Sequence, residues 1–390
     1  MSRIVLDPMI LQLRNLWLVI TLVIGLGSVA MGQTSKSELF VYVGTYNRGD
    51  EGGIRLLRFS PDQERLEYLG LAGECSNPSF IAIHPNGRSL YAVSERGSPE
   101  GGQILSFSVD RGSGLLTALN ERHSGGKGPC HLVVDPSGGW VLVANYSDGG
   151  VATLRILDDG SLGEGGARLK HEGSGVDPER QEGPHAHSIN LTPDGSRAVV
   201  ADLGTDKVVL YRFDPGDGSL IPNDPPWGTV DPGSGPRHVA FHPDGNRVYV
   251  LNEMSATLST FSYDPASGAL EPMQTVPMLP DGFDGTRSGA EVVVHPSGRF
   301  VYASNRGHDS IAIFGVLRED GTLVEMGHEP SGGKSPRNIA IDPSGTYLFA
   351  ANQNTNNVVV FRIEENGQLS RTAMEAKVPR PVCLRFLAVD

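Results

Sequence analysis

Repeated segments of this 390-residue chain place histidine, arginine, glutamate and amide side chains at matching positions, and its candidate chemistry sits there. Six Pro-[Asn/Ser/Asp]-Gly tripeptides begin at Pro85, Pro136, Pro193, Pro243, Pro296 and Pro343. The sixth residue before each proline is Ser79, Cys130, His187, Arg237, Ala290 and Arg337 in turn. The fifth is Phe80, His131, Ser188, His238, Glu291 and Asn338. A third column reads Thr45, Glu95, Tyr146, Leu203, Glu253, Arg306 and Gln353, preceded in five copies by Asn145, Asp202, Asn252, Asn305 or Asn352. Arg237, Arg306 and Arg337 would repel one another at a common site unless an anion or a carboxylate answered them. Glu253 and Glu291 could close such a network within the protein; a bound anion is the favoured answer. The amides also have a local use, because Asn and Asp at strand ends bond their own turns.

These columns need a scaffold that repeats at the same pitch. A Gly-rich or acidic turn closing on leucine recurs at Leu66, Leu115, Leu162, Leu220, Leu270, Leu323 and Leu369, at intervals of 46 to 58 residues. A fixed pitch in this range marks an array of identical supersecondary units. Between the turns lie short runs rich in β-branched and aromatic residues, such as RVYVLNE and NVVVFRI, which read as strands. Each unit divides into strand a before the Pro-x-Gly turn, b after it, c next, and d after the leucine turn. The predicted fold is all-β: a seven-bladed β-propeller of four-stranded antiparallel blades. The first b strand, LFVYVGTYN, lacks an a strand, and the C-terminal RPVCLRFLAV supplies one. The ring therefore closes by pairing the last strand into the N-terminal blade, which removes open edges.

In this topology the d–a and b–c loops share one face, and that face carries the variable polar columns. His84, His242 and His295 adjoin the Pro-x-Gly turns of the opposite face and read as turn residues. The two longest d–a connections, residues 171–187 and 278–289, extend the polar face as a rim or lid.

Residues 1–32 stand outside the repeat. Arg3 and Arg14 precede an apolar run from Leu16 to Val29, then small residues around Ala30 and Gly32. This pattern predicts an export signal cleaved near residues 30–33, with an uncleaved anchor as the alternative. The mature chain, residues 38–390, is expected to be one propeller domain, exported to the periplasm or medium, monomeric and without stable membrane association. Cys75, Cys130 and Cys383 lack metal or disulfide spacing. A formal net charge of −13 argues against nucleic acid and anionic membranes as partners.

The combination GPHAHS, GPRH, LNE, AEVVVHPSGRFVYASNRGHDSI, SPRN and ANQN, spread over residues 38–390, resembles the lactonase family of seven-bladed propellers. That family includes bacterial 6-phosphogluconolactonase and the fungal 3-carboxy-cis,cis-muconate lactonizing enzyme. The resemblance implies ring opening of a sugar-acid type lactone, with a small anionic lactone or sugar acid as partner and no cofactor or metal. It implies a catalytic set of Glu253, Arg237, Arg306 and either His187 or His185. Register favours His187, which shares its column with Arg237. Glu253 would serve as base on water or acid on the leaving alkoxide, and the arginines would bind the substrate anion and the oxyanion. His185, His131, His238, Glu291, Arg337, Asn252, Asn305 and Gln353 complete the expected substrate-binding set. The phosphorylated lactone is a cytosolic metabolite, so the export signal implies a lactone outside the cytoplasm. Two other readings use the same face. One is a calcium-dependent lactonase with Glu253, Asn252, Asp202 and Asn305 as ligands; the other is a non-catalytic binding propeller.

Overall fold

A computed structural model describes residues 38–46, 52–95 and 101–389. The predicted signal, residues 1–32, lies outside the described residues. Twenty-eight strands form seven four-stranded antiparallel sheets, each in the order a-b-c-d. Among the described residues no helix is long and apolar enough to cross a membrane. The C-terminal strand Pro381–Ala388 is strand a of the blade that continues with Leu39–Thr45, Ile54–Ser60 and Arg65–Gly73. Its register pairs Leu39 with Ala388 and Gly44 with Cys383, so both ends of the propeller are tied into one sheet. One strand is shorter than its repeat predicts: the a strand after Pro78 is only Ile81–Ile83.

Among the described residues the b strands are buried along their whole length, apart from Arg247 at the start of one. They pack blade on blade through Val, Ala, Phe and Tyr, with no continuous core at the axis. The leucine turns explain their own sequence. Gly114, Gly160, Gly321 and Gly367 sit at φ between 75° and 85°, a conformation that favours glycine. The carbonyl of each accepts a hydrogen bond from a buried tyrosine of the preceding blade. The pairs are Tyr42 to Gly114 (2.9 Å), Tyr91 to Gly160 (2.9 Å), Tyr249 to Gly321 (3.1 Å) and Tyr302 to Gly367 (2.9 Å). Three Pro-x-Gly turns are joined the same way. His84, His242 and His295 direct Nε2 at the carbonyls of Gly138 (3.0 Å), Gly298 (3.0 Å) and Gly345 (2.8 Å) in the following blade. The two turn motifs are thus stitches between blades.

Deleting one hydroxyl leaves a buried glycine carbonyl unpaired, at a cost of about 1–2 kcal/mol. Tyr249→Phe is expected to lower unfolding stability by that amount, and the Tyr249→Phe/Tyr302→Phe double variant by about the sum. Urea denaturation checks this, and unchanged midpoints would show that the stitches contribute nothing.

Candidate active site

The a strands carry the site because each is interrupted at one point. In a regular strand, neighbouring side chains face opposite ways, so the sixth and fifth residues before proline could not both serve the axis. The a–b registers shift between Pro129 and His131, Ala186 and Ser188, Pro236 and His238, and Pro336 and Asn338. The extra residue is Cys130, His187, Arg237 or Arg337. A β-bulge bends the strand and re-aims its side chain. It puts His187 and Arg337 at the mouth of the channel, brings Arg237 against Glu253 from below, and leaves His131, His238 and Asn338 in the layer beneath.

At the mouth is a cavity of about 530 Å³ lined by His187, Glu253, Arg306 and Arg337, with Tyr46, Glu95, Lys127, Tyr146 and Arg180 on its remaining walls. Glu253 is its focus. Oε2 takes Arg237 Nε at 3.0 Å and Arg306 Nη2 at 2.9 Å, and Oε1 takes Arg180 Nη2 at 2.8 Å. Burial alone would raise this carboxyl, but Arg306, Arg237 and Arg180 outweigh it and hold the group well below the usual carboxylate range. Glu253 is therefore a carboxylate at neutral pH in the free protein. Arg237 is 2% exposed and bonds the Ala290 carbonyl as well as Glu253. Burial, with Arg337 and Arg306 nearby, lowers it to about 9, so it stays a cation. It lines a small cavity below the mouth and faces the back of Glu253, so direct substrate binding by Arg237 is corrected to support of the carboxylate.

His187 is buried, and burial together with Arg237, His238, Arg337 and Arg306 pushes it well below the usual histidine value. The ring is neutral at pH 7. Nδ1 is buried without a partner, and an orphan lone pair is tolerated better than an orphan N–H. The proton therefore sits on Nε2, and His187 is a hydrogen-bond donor.

Arg337 stacks on Tyr46 at 4.9 Å and donates to its hydroxyl at 3.2 Å. That hydroxyl donates to Glu95 at 2.8 Å. Burial, opposed by Arg337 and reinforced by Glu95, raises the Tyr46 phenol to about 12. Beneath the mouth, His238 Nδ1 meets Glu291 at 2.7 Å, and Asn338 donates to the same carboxylate. The His131 ring lies 3.9 Å from Phe80 and 5.3 Å from His238. Arg385, absent from the sequence reading, caps this stack 4.6 Å from the Phe80 ring. His131, His238 and Glu291 thus plug the channel, one layer below any ligand in the mouth.

Of the two long connections, residues 171–187 bring a functional group to the mouth. Asp202 holds the segment at both ends: Oδ2 meets His171 Nδ1 at 2.5 Å, and Oδ1 accepts the His185 N–H at 2.8 Å. Gln181 bonds the Leu203 carbonyl at 2.8 Å. This clasp carries Arg180 over the cavity to Glu253 and within 3.4 Å of the Tyr146 hydroxyl. Sequence reasoning marked the loop and missed Arg180, which no repeat column contains. In the other connection, the carbonyl of Gly289 accepts Arg306 Nη2 at 2.9 Å, and none of its side chains lines the cavity.

Four expected binding residues lie elsewhere. His185 bonds the Tyr146 carbonyl at 2.9 Å and stacks on that ring at 4.6 Å, so it positions Tyr146. Asn305 bonds the Met278 carbonyl, and Asn252 bonds Thr257 and Ser259. Both amides anchor loops outside the cavity. Gln353 does not line the cavity either; its N–H bonds the Ser335 carbonyl at 3.0 Å. The calcium set fails the same test. Asp202 is spent on His171 and backbone N–H groups, and Glu253 alone of the four lines the cavity. Glu253 faces three guanidinium groups, which no cation site accommodates.

Among the described residues, the fold is a seven-bladed ring whose guanidinium-rich mouth surrounds the buried Glu253 carboxylate. Residues 40–386 match the family described as lactonase, 7-bladed beta-propeller, and the chain belongs to that family. It is 37% identical over 347 residues to a 6-phosphogluconolactonase of Bacillus subtilis, covering 89% of this chain and 97% of that protein. It is 33% identical over 300 residues to a 6-phosphogluconolactonase of Formosa agariphila, covering 76% and 84%. The solved periplasmic gluconolactonase of Pseudomonas aeruginosa is 33% identical with a TM-score of 0.85, covering 91% of this chain and all of that one.

Arg180 is on a loop, is partly exposed and supports no strand. Arg180→Met is expected to raise KM for an anionic lactone about tenfold without changing the melting temperature. An unchanged KM would remove it from the site.

Proposed function

We propose that this chain hydrolyses a sugar-acid type lactone of the 6-phosphogluconolactone kind in the mouth cavity. The observation that carries the reading is charge. In a protein of net charge −13, four cations (Lys127, Arg180, Arg306 and Arg337) share the cavity walls with two carboxylates, Glu95 and Glu253. That surplus suits an anionic substrate, and the named activities of the two bacterial relatives support it. Arg306 and the His187 Nε2–H donate to the carbonyl oxygen and stabilise the charge that develops on it. Glu253 Oε1 accepts a hydrogen bond from the attacking water and orients it. Water oxygen bonds the carbonyl carbon, the ring C–O bond breaks, and the proton released by water ends on the departing alkoxide. Free Glu253 is a weak base because three guanidinium groups surround it. A substrate that draws Arg180 to its anionic group and Arg306 to its carbonyl oxygen weakens that field, and the carboxylate becomes more basic in the complex than in the free protein.

The same reading has the chain act outside the cytoplasm as a monomer. The apolar run from Leu16 to Val29 and the periplasmic relative from Pseudomonas support export. Closure of the ring, which covers every blade on both flanks, supports a monomer.

Glu253→Gln is expected to lower kcat/KM on 6-phosphogluconolactone or gluconolactone at least about 100-fold, with the β-type circular dichroism retained. A wild-type rate equal to the uncatalysed rate on both lactones would sink the enzyme reading.

The pH profile is a separate check. The Glu253 carboxyl is depressed, so the stabilisation from its ion pairs is full above the ordinary value of 4.5 and is lost only as pH falls through its lower folded value. His187 is already neutral at pH 7. On the unphosphorylated gluconolactone, kcat/KM should therefore be flat across about pH 6–8. An inflection at the ordinary histidine value of 6.5 would contradict the donor role.

A further inference from the structure

The cations of the mouth are not equivalent. Arg306 and Arg180 already contact Glu253. Arg337 is offset by Glu95 through the Tyr46 hydroxyl. Lys127 lines the same cavity and, among the described residues, ion-pairs with no carboxylate. It stands on the Gly-rich turn GGKGPC, whose Gly125 and Gly128 have φ of 84° and 64°. The turn is bound to the adjacent b–c loop by Tyr146 N–H to Gly128 O (2.8 Å) and Ser147 N–H to Lys127 O (3.0 Å). Gly128 is required there, since a Cβ would stand 2.3 Å from Ser147 Oγ. Lys127 and Ser147 are thereby held on adjoining turns that line the cavity together with Tyr146, which Arg180 bridges to Glu253.

We propose that Lys127 and Ser147 form the subsite for a phosphate on the lactone, and that Lys127 sets the preference for phosphorylated over unphosphorylated substrates. The inference rests on the lactonase reading of the cavity. A phosphate carries close to two negative charges near neutral pH and offers three acceptor oxygens. Among the described residues, Lys127 is the one lining cation without a carboxylate to share, so it meets the dianion without giving up an ion pair of its own. The Ser147 hydroxyl supplies a neutral donor beside it. At the Glu95 wall the same group would face a carboxylate, and at Glu253 it would displace the groups that serve the carbonyl. The geometry thus separates a charge-recognition wall from the reacting wall, with Arg180 between them.

The test compares kcat/KM for 6-phosphogluconolactone and gluconolactone in the wild type, Lys127→Met, Lys127→Arg and Ser147→Ala. Lys127→Met is expected to lower the value for the phosphorylated lactone about 10- to 100-fold, through KM, and to leave the unphosphorylated lactone within about twofold. Lys127→Arg should restore most of the loss, and Ser147→Ala should show a smaller effect in the same direction. Equal losses on both lactones, or an unchanged ratio, would overturn the subsite. If the wild type turns over neither lactone, the lactonase reading fails on its own account. Calorimetric titration with 6-phosphogluconate then decides the subsite: affinity lost in Lys127→Met supports it, and equal affinity in both proteins overturns it.

Discussion

The mouth of this propeller depends on a β-bulge repeated at the head of its innermost strands. Those strands run beside the axis, where space is narrow and side chains from neighbouring blades meet. A regular strand would send alternate residues to the axis and into the next blade. With the bulge, one residue leaves the ladder and turns toward the opening, as His187 and Arg337 do, or against Glu253 from below, as Arg237 does. The next residue resumes the ladder and fills the channel, as His131, His238 and Asn338 do. Two adjacent residues thus serve two layers, and the chemistry is stacked along the axis. Rigidity comes from elsewhere, from turn carbonyls stitched between blades on the opposite face.

Charge decides how the upper layer is used. Arg237 cannot lose its proton at neutral pH and is almost wholly buried. Removing such a cation from water is costly unless a carboxylate meets it in good geometry. Glu253 does so, and two more guanidinium groups then crowd the same carboxylate. The network is self-consistent without a ligand, which is why a purely structural reading of these residues is coherent for Arg237. It does not extend to Arg180 and Lys127. Both are partly or largely exposed, both belong to loops, and neither is needed to neutralise Glu253. Loop cations added to an already satisfied carboxylate make sense as recognition of something outside the protein.

The architecture was legible in the chain because the turns repeat and each has one use. Gly321 and Gly367 must take a left-handed φ, so their spacing survives as a visible period. His242 and His295 were rightly assigned to the far face, though their bond to the next blade was not readable, since it joins residues 56 and 50 apart. The columns found Glu253, Arg306, Arg337 and His187, because strand positions superimpose from blade to blade. They also promoted Asn252 and Asn305, which share the strand end but bond Thr257 and the Met278 carbonyl outside the cavity. Arg180 and Lys127 were missed for the opposite reason. Loops differ in length between blades, so no column passes through them, and only the folded chain shows how near they come to the axis.

That division between strand and loop bears on how one scaffold serves different lactones. The carbonyl-handling groups are fixed by bulges and strand ends, where a shift would break a blade. The loop groups can change without disturbing any ladder. A lactone ring presents the same ester to every member of such a fold, whereas its substituents vary in charge and size. Groups that act on the ester therefore belong on strands, and groups that recognise substituents belong on the d–a and b–c loops. Arg180 sits between the two classes. It is carried by a loop clasped at both ends by Asp202, and it touches Glu253, the carboxylate proposed to orient water. A substrate anion that draws Arg180 away from Glu253 removes one of the three cations suppressing that base. The same event that recognises the substituent therefore raises the basicity of the group acting on the ester.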